Sequence, residues 1–183
     1  TALTTDQIVA LQSGQISALA TSQLVVMATD QTRAIDTADI AAMTAGQVAS
    51  LTTDQLTTLR TDQLVSFTSR QVAALTTTQL TALTTGQVQS LTTLQVSSLT
   101  TTQVASLTTD QLVAMELADV AVLTSGQVSS LKTSQLVAMT TDQIDALTTS
   151  QFTSLTTAQV ASLTTDQLVG MESVDLASLT TGQ

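Results

Sequence analysis

The sequence repeats every eight residues from one end to the other, and this period constrains the fold more than any other feature. Counting from Leu3 gives 22 complete octads through Ser178 and a partial octad over 179–183, with no insertion or deletion. In residues 99–106, Leu-Thr-Thr-Thr-Gln-Val-Ala-Ser, positions one and six are apolar, position five is Gln and position eight is small. A fixed period indicates stacked repeats, so residues 1–183 are predicted to form a single octapeptide-repeat solenoid.

The spacing of the apolar residues excludes both a continuous helix and a flat strand. In an α-helix, an eight-residue step rotates a side chain by about 80° beyond two full turns, so the apolar stripe would wind around the helix. In a strand, positions one and six point to opposite faces, because an odd number of residues separates them. Short segments with one reversal per octad are therefore expected.

Each octad also carries a helix-start signal. With Thr at position two as the N-cap, Gln at position five completes a Thr-x-x-Gln capping box, and apolar positions one and six form a hydrophobic staple. Thr or Ser at position three is an alternative cap, one residue later. The predicted fold is all-α, a solenoid of very short capped helices, one per octad, with positions one, six and eight buried. The methionines all lie at position one and are assigned to the core: Met27, Met43, Met115, Met139 and Met171.

A β-solenoid is the alternative fold, because the abundant Thr and Val favour strands. The tight corners of such a fold usually contain Gly, Asn or Asp at positive φ. Asn is absent from this chain, and five of the six glycines lie at position four of the octad. This placement favours the helical solenoid.

The amino-acid composition argues against several classes of function. The chain contains no Cys or His, no nucleophile beside a plausible base and no Gly-rich phosphate loop, so it is not expected to be an enzyme. A net charge of −10 with four basic residues argues against nucleic-acid binding, and no apolar stretch approaches the roughly 20 residues needed for membrane insertion. Both ends fall inside a repeat, so we expect a piece of a longer protein. Neither end carries a polar capping repeat, so the isolated piece is expected to expose an apolar end and to self-associate end to end.

Three acidic triplets share one spacing. An octad with Asp at position four precedes one with an acid at position two and Asp, in place of Gln, at position five. Calcium prefers such oxygen ligands, so the triplets are candidate Ca²⁺ sites, and the Gly that follows each triplet would allow close backbone approach. The alternative is that these acids only stabilise helix N-termini. The triplets are Asp30, Asp36 and Asp39; Asp110, Glu116 and Asp119; and Asp166, Glu172 and Asp175, followed by Gly46, Gly126 and Gly182.

The rows of Gln and Thr have a structural and a functional interpretation. Gln at position five is expected to be buried or half-buried and to bond turn backbone in the next repeat, because each reversal frees polar backbone groups that must be paired. Thr is expected to cap helices. In the functional alternative, a flat Thr-rich or acidic face binds a ligand such as a glycan, ice or a partner protein.

The Leu-Thr-Thr-x-Gln-Val octads of residues 83–114 resemble repeat regions of very large bacterial secreted or surface proteins, some labelled adhesin-like or haem-utilisation proteins. The resemblance covers essentially the whole chain and implies an extracellular or cell-surface location. The predicted solenoid is expected to serve as an extended structural segment, the stalk or filament body of a bacterial surface or secreted protein. Haem binding is not expected in this segment, because the chain lacks the usual ligands His, Cys and Tyr.

Overall fold

The computed structural model describes residues 3–183, which fold into 22 short helices and contain no strand. The all-α prediction is confirmed, with one helix of five or six residues per octad. Within the described residues, no helix is long and apolar enough to span a bilayer. The helices are α1 (Thr5–Val9), α2 (Ser13–Ala18), α3 (Thr21–Val25), α4 (Thr29–Ala34), α5 (Thr37–Ala42), α6 (Ala45–Ser50), α7 (Thr53–Thr57), α8 (Thr61–Val65), α9 (Ser69–Ala74), α10 (Thr77–Ala82), α11 (Thr85–Gln89), α12 (Thr93–Ser98), α13 (Thr101–Ser106), α14 (Thr109–Val113), α15 (Leu117–Ala121), α16 (Ser125–Ser130), α17 (Thr133–Ala138), α18 (Thr141–Asp145), α19 (Thr149–Ser154), α20 (Thr157–Ser162), α21 (Thr165–Gly170) and α22 (Ser173–Ser178).

The helices begin where the capping box predicts. In α13, Oγ1 of Thr100 accepts a hydrogen bond from the backbone N–H of Gln103 at 3.2 Å, and Oε1 of Gln103 accepts from the N–H of Thr100 at 2.7 Å. Position two is therefore the N-cap, and the alternative cap at position three is wrong. The same reciprocal pair recurs in every complete octad that has Thr at position two, as at Thr44 and Thr164.

Two extended residues separate one helix from the next. After α13, Leu107 has φ −51° and ψ 141°, and its N–H donates to the carbonyl of Val104 at 3.2 Å. Thr108 follows with φ −70° and ψ 159° and caps α14. No residue in 3–183 has a positive φ, so the reversal needs no glycine, and any residue with an extended backbone fits there.

Three octads make one coil of the solenoid. Each helix packs against the third helix before it and the third after it, as α10 packs against α7 and α13. The 22 helices therefore form a three-sided rod of about seven coils. With helix axes packed roughly 8–10 Å apart, the rod is about 60–75 Å long.

A single hydrophobic cluster runs along the axis of the rod, from Ile8 to Met171. It consists of the apolar side chains at positions one and six of the octads. Those at position six are fully buried in the inner coils, and those at position one are buried beside them. The methionines belong to this cluster as predicted, with Met27 partly buried at one end. Thr32 is the polar exception at position six, and its hydroxyl donates to the carbonyl of Ala28 at 3.2 Å.

Position eight differs from the sequence-based expectation. It was predicted to be buried, but it is half-buried or exposed throughout. Its small side chains lie at the helix end, where a hydroxyl can close the last turn, as when Oγ of Ser106 donates to the carbonyl of Gln103 at 2.7 Å. The third buried position of the octad is position five.

The cap assignment can be tested by changing one threonine at a time. Thr84→Ala removes the side-chain acceptor for the N–H of Gln87 and is expected to lower the free energy of unfolding by about 0.5–2 kcal/mol. Thr85→Ala, at the exposed neighbouring position, is expected to change it by less than about 0.5 kcal/mol. Urea denaturation measures both. A larger effect at Thr85 would contradict position two as the cap.

Candidate functional site

The interface between successive coils contains the most regular set of polar contacts in the molecule. Here a glutamine at position five of most octads reaches back to the preceding coil and bonds its backbone. We call this row the Gln ladder. Its members are Gln31, Gln47, Gln55, Gln63, Gln71, Gln79, Gln87, Gln95, Gln103, Gln111, Gln127, Gln135, Gln143, Gln151, Gln159, Gln167 and Gln183.

Each side-chain amide of the ladder joins two coils. Nε2 of Gln103 donates to the carbonyl of Val72 at 3.0 Å and to that of Leu75 at 2.7 Å. Its Oε1 accepts from the N–H of Thr100 in its own octad, at 2.7 Å. One side chain thus caps a helix and ties that helix to the coil 28–31 residues earlier.

The ladder is buried, and this makes its hydrogen bonds hard to replace. From Gln47 to Gln167 its side chains are 0–4% exposed, so water cannot substitute for a lost partner. A buried polar group left unpaired costs about 1–3 kcal/mol. The predicted burial of Gln and its bonding to turn backbone are confirmed, but the bonded backbone belongs to the preceding coil and not to the next repeat.

Three carboxylates interrupt the ladder. Asp39, Asp119 and Asp175 take the place of Gln and are 3–6% exposed. Oδ1 of Asp39 accepts from Oγ of Ser13 at 2.6 Å, and Oδ1 of Asp175 accepts from Oγ1 of Thr149 at 2.9 Å. Since an ionised carboxylate cannot donate, the carbonyls that a glutamine would reach lose their side-chain donor at each interruption.

The acids at position two of the triplets lie at helix N-caps. Oδ1 of Asp36 accepts from the N–H of Asp39 at 2.8 Å, which is the bond a capping Thr would make. Glu116 and Glu172 occupy the same position without a side-chain capping bond. A structural role at the helix start therefore accounts for Asp36.

The acids at position four are exposed in the first helical turn, where a negative charge favours the helix dipole. They are Asp30, Asp110 and Asp166. In the part of the chain that the structure describes, no three acidic, His or Cys side chains come close enough to hold a metal ion together.

The glycines after the triplets do not serve the close approach predicted for them. A Cβ added at Gly46 would meet nothing within 4 Å. At Gly126 it would lie 3.7 Å from Cγ2 of Thr101, and at Gly182 3.9 Å from Oγ1 of Thr180, which are ordinary contacts. The prediction was wrong because coils approach through side chains of positions one, five and six, whereas position four faces outward.

Burial raises the pKa of the Asp119 carboxyl above its ordinary value, and the nearby negative charge of Glu116 raises it further. A hydrogen bond from the backbone of Glu116 acts in the opposite direction and is the weakest of the three influences. The ionised form of Asp119 is therefore disfavoured in the folded chain.

A stack of capped three-helix coils, joined by buried glutamines, defines a helical solenoid repeat protein. The family model described as the ALTTAQ repeat matches residues 32–69, 61–93 and 112–149, which together make up more than half of the chain. The chain belongs to this repeat family. No curated protein matches it.

The sequence predicts a buried row of Gln side chains but not which backbone carbonyls they bond. The bonds between coils span 28–31 residues, between three and a half and four octads, and no feature inside one octad encodes that distance. The hydroxyl donors to Asp39 and Asp175 lie 26 residues earlier, on Ser13 and Thr149. They were missed because position three is hydroxylated in nearly every octad and so carries no local signal.

The ladder can be tested with an apolar side chain of similar size. Gln103→Met keeps the volume but leaves the N–H of Thr100 and the carbonyl of Leu75 unpaired, so the free energy of unfolding is expected to fall by about 2 kcal/mol or more. Gln89→Met, on an exposed glutamine at position seven, is the matched control and should have little effect. Equal effects in urea denaturation would show that the ladder does not stabilise the solenoid.

Asp119 gives a pH-dependent prediction. Because its folded-state pKa is raised, the folded chain binds this proton more readily than the unfolded chain, so its contribution to stability is present at acid pH and is lost as pH rises through the folded pKa. Asp119→Gln should therefore be more stable than the native chain at pH 7, and the difference should shrink on acidification. Asp142→Asn, at an exposed acid, is the control. A gain that stays constant with pH would contradict the raised pKa.

Proposed function

We propose that this chain is an extended structural segment, the stalk or filament body of a bacterial surface or secreted protein. The observation that carries the proposal is the Gln ladder, which ties nearly every coil to its neighbour by the same buried bonds. In such a solenoid each repeat contacts only adjacent repeats, so length is set by the number of octads. A uniform rod suits a spacer that holds other parts of a protein apart.

The proposed location rests on sequence and charge. The Leu-Thr-Thr-x-Gln-Val octads resemble those of large bacterial secreted and surface proteins, and the chain has a net charge of −10. A strong net charge keeps a long rod soluble and discourages lateral association. Within residues 3–183, Arg60 and Asp62 form the one ion pair, at 3.0 Å, so most of the negative charge is not neutralised on the surface.

The rod role is tested by removing one coil. Deletion of residues 83–106 removes three octads and joins position eight to position one, so the chain is expected to stay folded and to shorten by about 8–10 Å. Small-angle X-ray scattering should show this shorter rod with the same cross-section. Deletion of residues 83–102 breaks the octad register and is the control that should unfold. A change in cross-section with the first deletion would contradict the rod.

We also propose that Ca²⁺ stabilises the coils at the acidic triplets. A site there would take its oxygens from one buried carboxylate, such as Asp119, and from the carbonyls of Val88 and Leu91, which a glutamine would have reached. Calcium accepts such mixed oxygen ligands. Titration calorimetry and thermal melting in millimolar Ca²⁺ test this role.

Heat of binding and a higher melting temperature are expected for the native chain. The variant Asp39→Gln/Asp119→Gln/Asp175→Gln should show neither, because it replaces the carboxylates with ladder residues. A native chain that gives no heat and an unchanged melting temperature would overturn the calcium proposal and leave the rod intact.

The alternative function is a binding module. Thr101, Ser125 and Thr149 recur every 24 residues and are exposed, so hydroxyls line one side of the three-sided rod. A regular row of this kind suits a glycan, an ice surface or a protein partner with a matching repeat. Binding on a glycan array or inhibition of ice recrystallisation, lost on Thr101→Lys/Ser125→Lys, would favour this function over the spacer.

A further inference from the structure

Two leucines depart from the octad pattern. Every other leucine of the chain lies at position one or six, but Leu94 occupies position four and Leu117 occupies position three. Their side chains are 73% and 48% exposed. Val122, at the end of the helix that contains Leu117, is 38% exposed. The fold does not require leucine at these two positions, because other octads have Thr there, as at Thr101 and Thr102.

The two leucines lie on one side of the rod, on consecutive coils. Helices α9, α12, α15 and α18 stack in this order along that side. Leu94 belongs to α12 and Leu117 to α15. The two departures from the pattern therefore share one surface in the middle of the rod, although more than 20 residues separate them in the chain.

Small residues lie between the two leucines. A Cβ added at Gly126 would lie 3.7 Å from Cγ2 of Thr101, so position four of one coil contacts position three of the coil before it. By the same spacing, Ala118 of α15 contacts Thr93 of α12. The surface between the leucines is therefore flat, and the leucines stand above it on either side.

The charge changes sign along this side of the rod. Arg70 is exposed on α9, one coil before the first leucine, and Asp142 and Asp145 are exposed on α18, one coil after the second. Among these four helices and their N-caps, the other exposed charge is Glu116, at the start of α15. The order along the rod is therefore positive, apolar, apolar and negative.

This order favours one direction for the pairing of two copies. In a parallel pair, Arg70 would meet Arg70, and the aspartates would meet each other. In an antiparallel pair, Leu94 of each copy meets Leu117 of the other, and both leucines leave water. Arg70 of each copy then meets Asp142 and Asp145 of the other. The antiparallel direction thus joins opposite charges at both ends of the contact.

We propose that two copies of this chain pair side by side and antiparallel through α9, α12, α15 and α18. The two-fold axis passes between α12 and α15, so both copies use the same surface. The net charge of −10 opposes unselective association, and a lateral contact therefore needs complementary charges where it forms. A contact centred on two leucines per copy is smaller than the roughly 1,200–2,000 Å² of a standard stable interface, so the dimer is weak.

The test is sedimentation equilibrium of the 183-residue chain at concentrations up to about 1 mM. A reversible equilibrium between monomer and dimer is expected. Leu94→Thr/Leu117→Thr restores the common residue at both positions, so the rod stays folded, and the dissociation constant is expected to rise at least about tenfold. The control is Val65→Thr/Val113→Thr, which makes the same kind of change at exposed valines on another side of the rod and should pair like the native chain.

Charge reversal tests the direction of pairing. Arg70→Asp places like charges opposite each other in the antiparallel pair and is expected to raise the dissociation constant about three- to tenfold. Adding Asp142→Arg in the same chain brings opposite charges together again and should return the constant toward its native value. Asp and Arg each occur at position four in the native chain, so both changes fit the octad. In a parallel pair the second change would not rescue the first.

Cross-linking gives the direction independently. Because the chain has no cysteine, Ser69→Cys on α9 and Thr141→Cys on α18 each provide a single thiol at an exposed position. A short bis-maleimide is expected to join the two variants when they are mixed. Neither variant alone should give a cross-linked dimer, since the two α9 helices lie at opposite ends of the contact.

A chain that stays monomeric up to about 1 mM would overturn the proposal, as would a dimer that the double leucine variant does not weaken. Cross-linking of Ser69→Cys to itself would show a parallel pair and overturn the antiparallel arrangement. The contact needs only the folded rod and does not rest on the stalk role. Since deletion of residues 83–106 also removes Leu94, scattering from the rod is compared at concentrations below the dissociation constant. Failure of the deletion test then contradicts the rod, and failure to pair contradicts this contact alone.

Discussion

The buried side-chain amide of glutamine is the interaction on which this fold depends. A helix of five or six residues cannot persist alone, because nucleation is unfavourable and most of its backbone groups have no intrahelical partner. Gln103 addresses both problems, since Oε1 closes the capping box of its own helix and Nε2 pairs carbonyls freed by the reversals of the preceding coil. Glutamic acid lacks the donor and asparagine is shorter by one methylene, which explains why Gln fills position five in 19 of the 22 complete octads.

The short capped helix of each repeat could be predicted from one octad. The capping box, the staple of positions one and six and the absence of Asn or Gly at the reversals were enough to predict one short helix per repeat. The number of octads per coil was not predictable, because it follows from the angle that the two extended residues, such as Leu107 and Thr108, impose between successive helices. That angle decides which octads meet, and hence where the amide of each Gln finds its acceptors.

Two predictions from the sequence were wrong, and both concern small residues. Position eight was assigned to the core because its residues are small, whereas its Ser hydroxyls close helix ends, as in Ser106. The glycines that follow the acidic triplets, Gly46, Gly126 and Gly182, were predicted to allow close backbone approach, but position four faces outward. Small residues suit a crowded core, a helix end and an open surface alike, so composition alone could not separate these settings.

The three aspartates in the ladder show how the repeat tolerates variation. Asp39 and Asp175 each accept a hydrogen bond from a hydroxyl group of the preceding coil. The carboxylate is therefore paired, although the donor function of Gln is lost. Asp119 lies beside Glu116, and its raised pKa reflects the cost of ionisation in a buried row.

Three octads complete one coil of the rod, and an engineered disulfide between successive coils measures this period directly. A Cβ at Gly170 would lie 3.6 Å from Cβ of Thr141 on the preceding coil, within the spacing that a disulfide requires. The chain has no cysteine of its own, so oxidation of Thr141→Cys/Gly170→Cys reports this contact alone. Rapid and complete cross-linking is expected for this pair, and none for Thr149→Cys/Gly170→Cys, which joins different sides of the rod. Cross-linking of the second pair in preference to the first would contradict the three-octad coil.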